Sequence, residues 1–354
     1  MMSSATGELR TFEKGSAEFN SYLLGTFSEN ERALPVQSLN VNSQSETVTF
    51  KVVSKDKISR PPSVIFLAQT FKAKNFLLVL FPLFLVTVKN VTGSSLIDPF
   101  AAVISVLGIL CAFVSLSLRN DYLDHMRGID RVVTDRGSRA IQNGWLAAVD
   151  VRRYSYFFLI LALLCAIPVV VTFPSVLLVL VVSLLTAVWA FQIGNEVSMF
   201  LLLGPLLTVG YQLSMGILFD LESLLLGGLW GWLVLYFAHL RNLTSIIASS
   251  QARFRNAVNR LGFDKARRLV AAWWILFVVF YGAYHVFYSS KLLGIYGTTL
   301  LAFITFRFIL KLKRLSTPAG SEMKSVFESG RRLFQIAMVM WTLENFWYLL
   351  AWNH

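Results

Sequence analysis

The sequence predicts an all-α protein, a polytopic membrane bundle of about nine transmembrane helices. Three observations carry the prediction. Of 354 residues, 55% are hydrophobic and only 15% charged, and a mean hydropathy of +0.61 does not suit a water-facing surface. Apolar stretches of the length a helix needs to cross a bilayer, roughly 17–25 residues, recur along the chain. The basic residues gather in alternate connections, which is how multi-spanning proteins fix their orientation. With 9 Pro and 21 Gly the chain is not of low complexity. Cys111 and Cys165 both lie in apolar runs and read as small buried hydrophobes, which excludes a disulfide framework or a structural zinc site.

Residues 1–60 are rich in Ser, Thr, Asn and Glu and lack a signal-peptide core, so they read as a polar, partly disordered cytoplasmic arm. Within it, 45–55 (SETVTFKVVSK) alternates well enough for one strand, marginal without partners. The membrane domain is expected over 61–354, with spans at about 75–91, 98–118, 154–173, 175–193, 197–218, 223–240, 269–288, 292–310 and 333–352. Pro174 should turn the third span directly into the fourth, and Gly194, Asn195 and Glu196 are the only polar break in 175–218, so eight spans is the alternative.

Orientation follows from three basic connections. Arg119, Arg127, Arg131, Arg136, Arg139, Arg152 and Arg153 follow the second span, Arg241 to Arg268 the sixth, and Lys311 to Arg332 the eighth. The intervening loops are short and nearly free of basic residues, which places the amino terminus in the cytoplasm and the carboxyl terminus outside, as for a multi-pass protein of the cell inner membrane. The net charge of +12 is thereby a property of cytoplasmic loops that set topology and meet anionic lipid headgroups of the bilayer. No recognition motif accompanies it, so no nucleic acid is expected as a partner.

At the end of the second span the sequence reads LRNDYLDHMRGID. Asn120, Asp121 and Asp124 fall within one helical turn, and Asp130 follows Gly128. Two carboxylates and an amide oxygen at a membrane boundary make a hard oxygen site suited to Mg2+, which keeps several waters and completes its shell with substrate phosphates. The alternative is a solvated helix end in which Asp121 and Asp124 pair with Arg119 and Arg127. Arg136, Gly137, Ser138, Arg139, Gln142, Asn143 and Gly144 then supply guanidinium forks and turn glycines directly after the acids, as a diphosphate and its metal would need.

The run NDYLDHMRGID followed by SRAIQNGWL resembles the first signature, NDxxD with a further Asp, of the UbiA superfamily of membrane prenyltransferases, and is most similar to its 1,4-dihydroxy-2-naphthoate polyprenyltransferase branch. The resemblance continues in NEVSMFLLLGPLLTVG, where Glu196 stands eight residues before Gly204-Pro205, in SLLLGGLWGWL, in LGFDKARRL and more weakly in KNFLLVLFPLFLV, covering roughly 60–350. It implies a bundle around a central cavity, and Mg2+-dependent transfer of a polyprenyl group from an allylic diphosphate donor to an aromatic, quinone-precursor-like acceptor. Asp121 and Asp124 would be the catalytic pair and the metal ligands, supported by Asn120, with Asp130, Arg127, Arg136 and Arg139 binding substrate. The chain departs from the family at its second acidic motif. The aligned segment, AHLRNLTSIIASSQARFRNAVNRLG, has no carboxylate, and His239 and Asn242 stand where that branch has Asn and the first Asp. Arg241, Arg253 and Arg255, with Asn242, are the candidates to meet the diphosphate there. Loss of that motif equally fits a weakened or non-catalytic relative that binds isoprenoid lipid, or transfer to a phosphosugar.

Departure of diphosphate leaves an allylic cation, which aromatic faces stabilise. Tyr211, Trp230, Trp232, Trp341, Phe346, Trp347 and Tyr348 are candidates, although most aromatic residues near helix ends serve as interfacial belts. Glu344, mid-way along the last span, is expected to pair with Arg307, and His285 to lie at the outer interface.

Overall fold

The structure, a computed structural model, describes residues 8–93, 95–132, 137–193, 196–254, 256–289 and 292–351. In chain order its elements are β1 Glu8–Glu13, α1 Ala17–Leu24, β2 Glu31–Leu39, β3 Thr47–Ser54, α2 Ser63–Thr70, α3 Leu77–Thr92, α4 Pro99–Met126, α5 Ile129–Val132, α6 Ala148–Thr172, α7 Val176–Ile193, α8 Glu196–Leu203 and α9 Pro205–Ser214. They continue with α10 Leu221–Thr244, α11 Ile246–Gln251, α12 Ala257–Leu261, α13 Phe263–Tyr284, α14 Leu292–Arg314 and α15 Ser321–Ala351. Helices stand at all nine apolar stretches. Among the described residues, seven are long and apolar enough to cross a membrane: Ala73–Thr92, Pro99–Met126, Ala148–Thr172, Glu196–Ser214, Leu221–Thr244, Phe263–Tyr288 and Leu293–Arg314. The apolar helix Val176–Ala190 is shorter.

The chain divides into two compact units. The first comprises Met1–Phe76, Gly108–Leu164 and Ala248–Phe254. Its amino-terminal part corrects the expectation of a partly disordered arm with a lone strand: β3 is the centre of an antiparallel sheet of order β1-β3-β2. The alternation of β3 places Val48, Phe50 and Val52 on one face, where Phe19, Tyr22 and Leu23 of α1 cover them. Ser16 starts that helix by accepting the Phe19 N–H, and Gly25 ends it in the left-handed region. The flanking strands escaped notice because their alternation is diluted by Glu, Arg and Ser, so each gains an apolar face only by pairing. Pro35 is tolerated on β2 because that strand is an edge, and a register shift lies beside it.

Glu46, just before β3, ties the sheet to the helices of this unit. Its carboxylate is 1% exposed, pairs with the buried guanidinium of Arg131 on α5, and lies 3.5 Å from Lys14 Nζ. The Asn42 N–H also donates to it at 3.2 Å. Nearby, the His125 ring donates from Nε2 to the Leu23 carbonyl at 3.0 Å, holding α1 to the end of α4. Farther along, the Ser115 hydroxyl of α4 donates to the Ser155 carbonyl of α6 at 2.7 Å.

The second unit comprises Leu77–Leu107, Cys165–Ile247 and Arg255–His354. α10 is its central helix, with Trp230, Leu233, Tyr236, Leu240 and Leu243 buried among residues of α3, α13, α14 and α15. The small residues of LLLGGLWGWL let α8 and α9 approach it closely. A Cβ at Gly204, between those two helices, would stand 2.5 Å from the Gly227 carbonyl oxygen and 2.8 Å from the Gly231 Cα. Trp230 and Trp341 pack on Phe81 in the core, whereas Phe346 and Trp347 are exposed. Cys111 and Cys165 form no disulfide among the described residues and are only partly buried, less than the buried hydrophobes expected.

Removing one partner of a buried ion pair leaves the other charge stranded, which typically costs about 3–5 kcal/mol. The variant Glu46→Ala should therefore destabilise the chain by about that amount in thermal and denaturant unfolding in detergent. An unchanged midpoint would show that the sheet is not fastened through this pair.

Candidate functional site

The acid motif lies in the first unit. Asn120, Asp121 and Asp124 occupy the last turns of α4, and Asp130 lies on α5. Asp121 is 3% exposed. Its Oδ1 accepts from Lys72 Nζ at 2.6 Å and its Oδ2 from the Ser138 N–H at 3.1 Å. Asn120 Nδ2 donates to Asp124 Oδ2 at 2.8 Å. Asp130 is 2% exposed, and its Oδ2 accepts from Gln142 Nε2 at 2.7 Å while its buried Oδ1 has no hydrogen-bond partner among the described residues. Arg139 donates to the Asp130 backbone carbonyl at 3.0 Å.

Local backbone makes this convergence possible. Gly137 adopts φ +75°, and a Cβ there would sit 3.2 Å from Asp121 Oδ1 and 3.6 Å from Asp130 Oδ1. Glycine lets the chain pass between the two carboxylates and present the next N–H to Asp121. Lys72 and Arg139 hold positive φ values of 54° and 62°. For non-glycine residues this conformation is uncommon and costs roughly 1–2 kcal/mol each, and such strain concentrates where chemistry requires it.

Of the residues singled out by sequence, Asn120, Asp121, Asp124, Asp130 and Arg139 are joined by these contacts. Arg127 is half-buried in the turn after α4. Arg136 and Arg255 lie outside the described residues. The alternative pairing of Asp121 with Arg119 is not formed, because Lys72 takes that carboxylate while the Arg119 guanidinium lies over the Tyr122 ring. Lys72 was missed because it lies 49 residues from Asp121 in the chain, in a stretch of no recognisable periodicity.

Arg241 and Asn242 belong to the second unit, at the end of α10. Arg241 is exposed. Asn242 Nδ2 donates to Glu196 Oε1 at 2.8 Å, and His239 Nδ1 lies 3.5 Å from the same oxygen. The His239 Nε2 faces the Ala266 carbonyl at 3.2 Å, and a carbonyl only accepts, so the proton on that nitrogen is fixed. A carboxylate missing from α10 is thus supplied by the first residue of α8. Glu196 is 4% exposed, and sequence reading had noted its spacing without giving it a role.

Two other expectations are corrected in this unit. Glu344 does not pair with Arg307, which is exposed. It lies 3.2 Å from His285 Nδ1 and accepts from the Tyr281 hydroxyl at 3.0 Å. His285 is fully buried in a π-helical turn after α13, where Gly294 leaves room for its ring, and is no interface residue.

Among the described residues no three His, Cys, Asp or Glu side chains converge as a metal cage. A Mg2+ site needs none, since the ion takes one or two carboxylates, several waters and substrate phosphates. Asp121 and Asp124 offer carboxylates of that kind, and close to Asp121 the buried Asp130 Oδ1 has no hydrogen-bond partner among the described residues.

No family model matches the chain, and no curated protein matches it. Solved structures do. A UbiA homologue from Archaeoglobus fulgidus bound to DMAPP and Mg2+ aligns with TM-score 0.54 at 13% identity, over 78% of this chain and 98% of that one. The same homologue bound to GPP and Mg2+ gives TM-score 0.52 at 12% identity, over 78% and 99%. A structure concerned with digeranylgeranylglyceryl phosphate synthase in membranes gives 0.54 at 13%, over 78% and 96%. At such identities the likeness concerns the fold: the chain is an integral, multi-pass membrane protein with the helical fold of these UbiA homologues.

Burial first, then the charges of Asp124 and Asp121, push the Asp130 carboxyl up to about 8, against the smaller opposing pull of Lys72 and Arg139. Because the unfolded chain ionises near the ordinary aspartate value, the stabilisation from a protonated Asp130 is complete below about pH 4 and lost as pH rises through the folded value of about 8. Asp130→Asn should flatten that decline in melting temperature across the same window. An unaltered pH profile would remove the buried proton from Asp130.

Proposed function

We propose that this chain transfers a polyprenyl group from an allylic diphosphate to an acceptor within the membrane, with Mg2+ as cofactor. The observation that carries the reading is the acid motif at the end of α4, where Asp121 accepts from Lys72 while Asp130 accepts from Gln142 through its carboxyl and from Arg139 through its backbone carbonyl, in a fold shared with UbiA homologues bound to DMAPP or GPP and Mg2+. The motif sequence favours an aromatic, quinone-precursor-like acceptor, as in the 1,4-dihydroxy-2-naphthoate branch, and an amino terminus in the cytoplasm.

The bound ion would supply positive charge to the departing diphosphate, held by Asp121 and Asp124. Asn120 orients Asp124 through its amide hydrogen bond. From strained backbone positions Lys72 brings a cation to the Asp121 carboxylate and Arg139 one to the Asp130 backbone carbonyl, and their remaining N–H donors, with those of Arg127, serve phosphate oxygens. Below about pH 8 Asp130 keeps its proton, so it adds a hydrogen-bond donor without adding negative charge against the diphosphate. In the second unit Glu196, beside His239 and Asn242, restores a carboxylate to the end of α10.

A second reading draws on the same Lys72 contact. An ammonium already seated on Asp121, with no carboxylate in the α10 segment itself, also suits a relative that holds an isoprenoid without transferring it. The full-length protein in nanodiscs, given radiolabelled polyprenyl diphosphate, Mg2+ and a panel of aromatic and phosphosugar acceptors, decides between them. The wild type should form product, Asp121→Asn should form it at least about 10²-fold more slowly, and Lys72→Gln about 10-fold more slowly. Retention of labelled donor without product from any acceptor would establish the binding reading, and equal rates in wild type and Asp121→Asn would remove the acid motif from the chemistry.

A further inference from the structure

The face of α4 opposite the acid motif carries a different cluster. Arg119 and Tyr122, three residues apart, share one side of the helix, while Asp121 and Asp124 lie on the other. The Arg119 guanidinium stands 5.4 Å from the centre of the Tyr122 ring and 5.5 Å from that of Tyr156 on α6, and Arg152 stands 5.7 Å from Tyr122. Two guanidinium groups thus stack on one aromatic ring. Among the described residues neither Arg119 nor Arg152 has an ion-pair partner; the nearby Asp150 is taken by Arg32 at 3.8 Å and by Arg153 at 3.9 Å.

Bringing two like charges to one ring costs energy. Arg119 donates one N–H to the Tyr156 hydroxyl at 3.4 Å; a guanidinium carries five N–H donors, so others remain to grip a phosphate. Below the cluster the character changes. From the strongly exposed Arg153, a stripe of Phe157, Ile160 and Leu164 runs along α6 at helical spacing, 59%, 58% and 56% exposed. Charge therefore sits where the apolar run begins, above a wall that suits hydrocarbon.

We propose that this α4–α6 end seats the phosphate headgroup of an anionic phospholipid, with Arg119 and Arg152 as its ligands and the Phe157 stripe carrying its acyl chains. The site is separate from the acid motif and stands whether or not the chain transfers prenyl groups.

The full-length protein in neutral-lipid nanodiscs is titrated with phosphatidylglycerol and followed by native mass spectrometry. The wild type should bind it, and Arg119→Gln/Arg152→Gln should weaken binding on the order of 10-fold or more. Arg268→Gln/Lys324→Gln, which removes the same charge elsewhere, should leave binding unchanged. Equal affinity in the first double variant, equal loss in the second, or displacement of the lipid by inorganic phosphate alone would overturn the proposal. The unaltered protein gives an independent reading: a photoreactive phosphatidylglycerol should crosslink at Tyr156 or Phe157, and crosslinking confined to other helices would also overturn it.

Discussion

A carboxylate taken out of water must be matched by a cation, a proton or several donors, because desolvation of an unmatched charge exceeds what most single contacts return. Five buried carboxyl groups among the described residues show how this chain meets the requirement: Glu46, Asp121, Asp130, Glu196 and Glu344. Arg131 matches Glu46, Lys72 matches Asp121, His239 and Asn242 match Glu196, and His285 and Tyr281 match Glu344. In each case partner and acid come from different elements, so neutralising the charge also fixes how those elements pack. Glu46 fastens the sheet to α5, Glu196 fastens α8 to α10, and Glu344 fastens α15 to the end of α13.

Asp130 is the exception, and the exception marks the site. With one oxygen held by Gln142 and the other unpartnered, it is satisfied by a proton and not by a neighbouring cation. Around it the chain accepts further local costs: positive φ at Lys72 and Arg139, and a glycine threaded between two carboxylates. A fold optimised only for stability would relax such strain. Its persistence beside an acid motif, on a fold shared with diphosphate-binding homologues, is what supports the catalytic reading.

The far side of the same helix end follows the opposite electrostatic rule. There the guanidinium groups of Arg119 and Arg152 lie over the Tyr122 ring with no ion-pair partner among the described residues. Helical spacing allows one short segment, Arg119 to Asp124, to carry a cation on one side and two carboxylates on the other.

The sequence by itself determined the helices and the acid motif. A backbone in hydrocarbon must satisfy its own hydrogen bonds, so long apolar runs become helices regardless of their neighbours, and spacings such as 120, 121 and 124 fix which side chains share a turn. Tertiary structure decided the rest. Only folding could assign Lys72 to Asp121, Glu196 to Asn242 and His285 to Glu344, since each pair is separated by 46 residues or more and no local pattern encodes it. Likewise β1 and β2 acquire their apolar faces only when β3 lies between them, because a strand's burial depends on its partner as much as on its own residues.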